Sequence, residues 1–280
     1  MVVKIGVVKL GNIGCSPLLE LILDERADRE DIDVRVISSG AKLTPAHAEE
    51  VATKILDFKP DLAIIASPNE ALPGPRKAAE IVSNAGVPAI IISDSPAKKA
   101  VKDFEAKGLG YILVEGDAMI GARREFLDPA EMAIFNADII KALTITGVFN
   151  LLRDEIDRVI DEVEAGAKPS LPKIIVDKEL AVKAADFHNP YAKVKAMAAY
   201  EMLRKAAELD VEGCFMVKEA ERYIPIVAAA HEMVRIAALL ADEAREIEKS
   251  EDMVARKPHH KDGAILTKRQ LLEKPKKPEE

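Results

Sequence analysis

Short, almost wholly apolar runs, each followed by a proline-led helical pattern, constrain this chain more than any other feature of its sequence. The runs fall at residues 3–8, 34–37, 62–66, 87–92 and 111–114. Helical patterns occupy 17–24, 45–58, 75–84 and 96–107, with Pro17, Pro45, Pro75 and Pro96 near their starts, where a missing N–H costs nothing. A strand that faced water on one side would alternate apolar and polar residues. These do not, so both faces must be covered. Strands returning about every 25 to 30 residues with helices between them read as βαβ units. Right-handed crossovers then place helices on both faces of a parallel, doubly wound sheet. The fold class expected is α/β, Rossmann-like, with a mainly parallel sheet.

From residue 128 the period becomes helical. Asp128-Pro129-Ala130-Glu131 combines an N-cap, a proline at the first helical position and a capping-box glutamate. Apolar residues then recur from Met132 to Val163, with Thr144-Ile145-Thr146-Gly147 as a weak point at which one helix becomes two. A short apolar run at 174–176 and helices over 190–208 and 218–249 follow, the last with a kink expected at Pro225. Near the end, Asp262-Gly263 signals a turn between 253–257 and 264–267, a candidate β-hairpin, and 274–280 is expected to fray. The domains expected are therefore 1–127, an α/β cofactor-binding domain; 128–250, a helical bundle; and 251–280, a C-terminal segment with a hairpin.

A net charge of −8 disfavours nucleic-acid binding through a bulk basic surface. The contiguous apolar runs are too short to cross a bilayer and no leader pattern precedes the first strand, so a soluble, cytoplasmic protein is expected. Cys15 and Cys214 are far apart and lack CxxC spacing, which suits two packed thiols better than a disulfide framework or a zinc site.

In an open parallel sheet the ligand crevice lies outside the carboxyl ends of the strands. Here those ends carry Gly11-Asn12-Ile13-Gly14-Cys15-Ser16, Ser67-Pro68-Asn69-Glu70, Ser93-Asp94-Ser95-Pro96 and Glu115-Gly116-Asp117. A dinucleotide fingerprint needs GxGxxG and an acidic residue closing the second strand. Lys9 stands in place of the first glycine, and the second strand ends in Ser38-Ser39-Gly40, so the loop is not tuned for NAD. It remains either an anion-holding turn or a plain tight βα turn. Arg123 and Arg124 suit an anionic ligand or, equally, salt bridges between domains or subunits. His231-Glu232-Met233-Val234-Arg235 begins like a zinc-protease helix but has Arg235 where the second histidine belongs. His259-His260 is either a small metal pair or polar turn residues. No metal site is expected.

Several strings nevertheless point to one family. They include Gly108-Leu109-Gly110-Tyr111-Ile112-Leu113-Val114, Gly121-Ala122-Arg123-Arg124-Glu125-Phe126-Leu127-Asp128-Pro129, Asn189-Pro190-Tyr191-Ala192 and Val211-Glu212-Gly213-Cys214-Phe215. Glu221-Arg222-Tyr223 and Ala230-His231-Glu232-Met233 agree as well. Through them the chain resembles the archaeal coenzyme F420-dependent methylenetetrahydromethanopterin dehydrogenases over residues 3–269 or so. Two loops depart from the family's usual strings: Ser67-Pro68-Asn69-Glu70 replaces Gly-Pro-Asn-Pro, and Ser93-Asp94-Ser95-Pro96-Ala97 replaces Gly-Asp-Ala-Pro-Gly.

The resemblance implies reversible hydride transfer between the methylene group of the reduced pterin and C5 of the deazaflavin. It implies F420 as a dissociable cosubstrate, no metal, flavin or bound prosthetic group, and a homohexamer built as a trimer of dimers. On that basis Asn12, Gly14 and Ser16 are expected to contact F420 through backbone or hydroxyl groups, with Asn69, Asp94 and Ser95 nearer its ring. Arg123 and Arg124 would meet anionic parts of either ligand, and Glu125 or Asp117 would stand near the nascent cation. The pterin would enter past Asn136 and His188. An NAD(P)-linked dehydrogenase and a non-catalytic F420- or pterin-binding module are the alternatives.

Overall fold

The structure, a computed structural model, describes residues 1–118 and 129–277. Arg123, Arg124 and Glu125 lie outside the described residues.

The α/β unit is built on a six-stranded sheet in the order β2-β1-β3-β4-β5-β6. Its strands are β1 (Val3–Lys9), β2 (Ile32–Ser38), β3 (Leu62–Ser67), β4 (Ala89–Asp94), β5 (Gly110–Val114) and β6 (Lys173–Val176). The pairings β1–β2, β1–β3, β3–β4 and β4–β5 are all parallel. Every residue of β3, β4 and β5 is buried, as uninterrupted apolar runs require. One face of the sheet packs on α2 (Pro45–Asp57), α3 (Pro73–Asn84) and the segment 95–106, in a core that joins Val8, Ile65, Ile91 and Leu113 to Ala52, Ile55, Ala78 and Phe104. Alternate strand residues, Ile5, Val7, Ile64, Ile90 and Ile112, point the other way and are equally buried. That side takes the buried stripe of α1 (Cys15–Leu23), namely Leu18, Leu19 and Ile22.

The helical pattern from 129 breaks at its weak point. α5 (Pro129–Thr146) and α6 (Val148–Glu164) are separated by Gly147 at φ +108°. A Cβ there would lie 1.9 Å from the Ala181 carbonyl oxygen. Both facts demand glycine, and Gly147→Ala is expected to destabilise the protein by about 3 kcal/mol or more. An unchanged denaturant midpoint for that variant would contradict the close approach.

The helical unit contains α5, α7 (Lys178–Ala185), α8 (Pro190–Val211) and α9 (Ala220–Ser250). α7 was not expected, although Asp177 is a plain N-cap, its side chain accepting the Leu180 N–H at 2.9 Å. α8 ends in a π-helical turn, Glu212–Met216, where Gly213 allows the backbone close to Val227 of α9. Pro225 sits inside α9, in its second turn. α9 also corrects the reading from contiguous runs, because it holds an 18-residue stretch of mean hydropathy 1.6 and is long enough to cross a membrane. Its Tyr223, Val227, Ala230, Val234, Ala237, Ala241 and Ala244 form a buried stripe, the pattern of a helix packed in a bundle.

The domain limits also differ from those expected. One compact unit comprises Met1–Val114, Leu152–Ile175 and His259–Ile265; the other comprises Glu115–Leu151, Val176–Pro258 and Leu266–Glu280. Residues 152–175 and 259–265 therefore belong with the sheet. They do so because β6 extends it, α6 buries Ile156, Val159 and Ile160, and His259 is held by the side chains of Glu25 and Asp157. At the C-terminus the Asp-Gly turn forms, Gly263 N–H donating to the His260 carbonyl at 3.0 Å with φ +87°. Isolated antiparallel bridges, Arg256 with Lys268 and His259 with Ile265, stand in for a continuous hairpin ladder. Lys276 is paired antiparallel with Thr267, so the stretch up to that residue is not frayed.

Candidate functional site

The carboxyl ends of β1, β2 and β3 interlock. The Leu10 N–H donates to the Ala66 carbonyl at 2.9 Å and the Gly11 N–H to the Gly40 carbonyl at 3.0 Å. Gly11 has φ +73°, and a Cβ on it would strike Leu43 at 2.9 Å and Pro68 at 3.2 Å. This glycine thus sets how closely the loops after three neighbouring strands approach one another. Asn12 and Asn69 stand half-buried on the resulting rim. The Asn69 side-chain oxygen accepts the Ala71 N–H at 3.0 Å and its carbonyl accepts the Leu72 N–H at 3.1 Å, a closed Asx turn that fixes the residue. Ser95, just after β4, is half-buried, and Asp94 caps the following 3-10 turn by accepting the Ser95 N–H at 2.5 Å.

The expected site residues therefore separate into surface and floor. Asn12, Asn69, Ser95 and the largely buried Asp94 share the carboxyl edge of the sheet, as fold geometry requires. Ser16 does not reach it, being only 2% exposed, with its Oγ lacking a hydrogen-bond partner among the described residues. Gly14 is buried at the start of α1. Asp117 is also buried, just beyond Gly116, whose missing side chain lets that segment lie against Tyr200 and Leu203.

The residues assigned to the pterin do not cluster. Asn136 follows Phe135 on α5, whose ring stacks on His231 of α9 with centroids 3.8 Å apart. His188 has an exposed side chain, and its backbone N–H donates to Glu248 farther along α9. His231 and Glu248 are almost five helical turns apart, which is about 25 Å. The 188–189 segment is explained by structure: Glu248 accepts both N–H groups, and Asn189 caps α8 through the Tyr191 N–H at 2.8 Å.

Sequence reasoning missed several buried polar groups. Glu70, at the end of β3, is fully buried; its Oε2 accepts from Ser67 Oγ at 2.5 Å, and burial pushes its carboxyl up to about 7. Its backbone N–H donates to Ser93 Oγ at 3.2 Å. Ser67, Glu70 and Ser93, from the loops after β3 and β4, form one network. The HExxR string places His231 against Phe135, where burial lowers its pKa to about 4, so the stacked ring is a neutral imidazole at pH 7. Among the described residues no group of three or more His, Cys, Asp or Glu is arranged to hold a metal ion.

The family model for methylene-5,6,7,8-tetrahydromethanopterin dehydrogenase matches residues 3–276. The chain belongs to this family. Among its relatives, the F420-dependent methylenetetrahydromethanopterin dehydrogenase of Archaeoglobus fulgidus is 59% identical over 275 residues, covering 98% of this chain and all of that protein. The Methanocaldococcus jannaschii enzyme of the same name is 56% identical over 276 residues, with the same coverage. A solved F420-dependent methylenetetrahydromethanopterin dehydrogenase, in complex with methylene-tetrahydromethanopterin and coenzyme F420, superposes with a TM-score of 0.94 at 48% identity, covering 99% of this chain and all of that one. The resemblance drawn from short strings thus holds over the whole described fold.

Proposed function

We propose that this dehydrogenase-family chain transfers a hydride reversibly between methylene-tetrahydromethanopterin and oxidised coenzyme F420, giving methenyl-tetrahydromethanopterin and reduced F420. The observation that carries the reading is full-length agreement, in sequence and fold, with a protein that holds both molecules. F420 is assigned to the carboxyl edge of the sheet, on the loops of Asn12, Asn69, Asp94 and Ser95. The half-exposed amide and hydroxyl groups of Asn12, Asn69 and Ser95 suit a planar heterocycle edged with carbonyl and N–H groups, above the largely buried Asp94. Arg123 and Arg124 remain candidates for anionic parts of either ligand, and Glu125 and Asp117 for stabilising developing positive charge. Asn136, beside the Phe135–His231 stack, remains a candidate for the pterin.

The chemistry makes few demands for proton transfer. Hydride departs from a carbon flanked by two nitrogens, and the resulting cation is delocalised over N–C–N. The protein's task is to stack two planar molecules with their reacting carbons about 3–3.5 Å apart, which is catalysis by proximity and orientation. Rigid loops such as the Gly11–Leu43–Pro68 interlock supply that orientation.

The decisive experiment follows the visible absorbance of F420 under anaerobic conditions on mixing with methylene-tetrahydromethanopterin and protein, with NAD and NADP in parallel. Bleaching that depends on both substrates, with neither nicotinamide accepting hydride, is the expected result. Turnover with either nicotinamide would favour the nicotinamide alternative, although β2 closes on Ser38 with no carboxylate for the ribose 2′-hydroxyl of NAD. F420 binding without turnover would leave a binding module.

We further propose that the protein works in the cytoplasm as a homohexamer. Large apolar side chains exposed in the helical unit, Phe215 at 74%, Met216 at 70% and Val194 at 60%, support a self-associating surface. Light scattering after size exclusion is expected to give about six times the chain mass of 30.5 kDa; a monomer would contradict the reading.

A further inference from the structure

Beneath the rim assigned to F420, three fully buried residues tie two of its loops together. Ser67 Oγ donates to Glu70 Oε2 at 2.5 Å, the Glu70 N–H donates to Ser93 Oγ at 3.2 Å, and Ser93 Oγ donates to the Ser67 carbonyl at 2.7 Å. This closed circuit runs from the end of β3 to the end of β4. Each junction lies one residue from a group on the rim: Asn69 precedes Glu70, and Asp94 follows Ser93. Strand pairing itself places Ser67 opposite Ser93, so the circuit continues the β3–β4 ladder into the loops.

A carboxyl is a costly way to fill such a position. Glu70 is wholly removed from water, its Oε1 has no hydrogen-bond partner among the described residues, and among those residues Arg76 acts on it through space. An apolar side chain would avoid that desolvation cost. What it would lose is the link from Ser67 to the turn that holds Asn69.

We infer that Glu70 is a positioning residue for the F420 half of the site: its side chain fixes the Asn69 turn to Ser67 from below, while its backbone N–H ties that turn through Ser93 to the strand end that carries Asp94. The inference rests on the assignment of F420 to these loops. Glu70 has no exposed surface, so it acts through Asn69 and Asp94 and not by touching the ligand. Loosening the circuit leaves the helical unit's residues untouched, so its effect is selective between the two substrates.

The test is steady-state kinetics on Glu70→Ala, Glu70→Gln and Ser93→Ala, varying F420 and methylene-tetrahydromethanopterin separately, with thermal unfolding of each variant as a folding control. Wild-type turnover is measured first; its absence would overturn the proposed reaction and is distinguishable from failure of this inference. Glu70→Ala is expected to raise the KM for F420 about tenfold, the scale of one lost buried hydrogen bond, and to leave the pterin KM within about twofold. Glu70→Gln keeps an acceptor for Ser67 and is expected to recover most of that loss. Ser93→Ala cuts the circuit at its other end, shifts the F420 KM in the same direction, and carries the test if Glu70→Ala does not fold. Equal rises in both KM values would show a general structural role and overturn the inference. Unchanged F420 KM values in folded variants would overturn it as well.

Discussion

Replacing His259 with alanine is expected to lower stability by about 3–5 kcal/mol near pH 6.5, and the melting temperature by roughly 10 °C. The imidazole is fully buried and bonded on both sides, Nδ1 to Glu25 at 2.5 Å and Nε2 to Asp157 at 2.7 Å. Arg29 completes the cluster, 2.5 Å from Asp31 and 3.7 Å from Asp157. Burial by itself would lower the histidine's pKa, but the hydrogen bonds its ring donates to Asp157 and Glu25 outweigh it and raise it to about 9. The same contacts hold Glu25 below the ordinary glutamate range against its own burial. Alanine would leave the buried Asp157 carboxylate facing the partly exposed Glu25 with no imidazolium between them, so the loss exceeds one hydrogen bond.

The pH dependence has a definite sign. A histidine whose folded pKa exceeds its unfolded value of about 6.5 contributes fully below pH 6.5 and loses that contribution as pH rises through 9. The shift is worth about 3 kcal/mol. The melting-temperature gap between wild type and His259→Ala should therefore be widest at pH 6 and narrow by pH 10. A gap that is flat across this range would mean that the imidazole is not charged in the folded protein. Adding Asp157→Asn to His259→Ala should restore part of the loss, because it removes one of the two carboxylates that the imidazolium had separated.

This cluster shows where the sequence stops being legible. The sheet is readable because apolar runs, prolines and caps are local signals: Pro45 does open α2, and Gly147 does divide α5 from α6. The crevice is readable because its position follows from parallel topology alone, which is why Asn12, Asn69, Asp94 and Ser95 share one edge. Nothing local marks His259, whose partners lie 102 and 234 residues away. Read by itself, His259-His260 is a polar turn; only the fold shows one ring fully buried and the next partly exposed. Glu70 was visible as a loop carboxylate, but its role depends on Ser93, which pairing brings opposite from 23 residues farther on. The residues assigned to the pterin do not come together, for a different reason. Asn136 and His188 lie next to widely separated points of one long helix, His231 and Glu248 of α9, and nothing local in the sequence marks that separation.

Asp210 shows how much a buried carboxyl without a counterpart weighs on this fold. It is fully buried on α8, and neither carboxyl oxygen has a hydrogen-bond partner among the described residues. Burial raises its pKa to about 8. In the unfolded chain the group loses its proton near pH 3.8, whereas in the folded protein it keeps it until about 8. Between those values the native state binds the extra proton, so stability falls as pH rises, by up to about 5 kcal/mol at pH 8. Asp210→Asn keeps the shape and removes the titration. It is expected to match wild type near pH 4 and to exceed its stability by several kcal/mol at pH 8, an unusual gain for a single substitution. Denaturant unfolding at the two pH values measures the difference directly. If Asp210→Asn is no more stable than wild type at pH 8, the carboxyl is held by a charged or donor group, and its burial is an ion-pair site and not a liability. A gain in stability accompanied by loss of turnover would make Asp210 one of the strained groups that an active site retains at the expense of the fold.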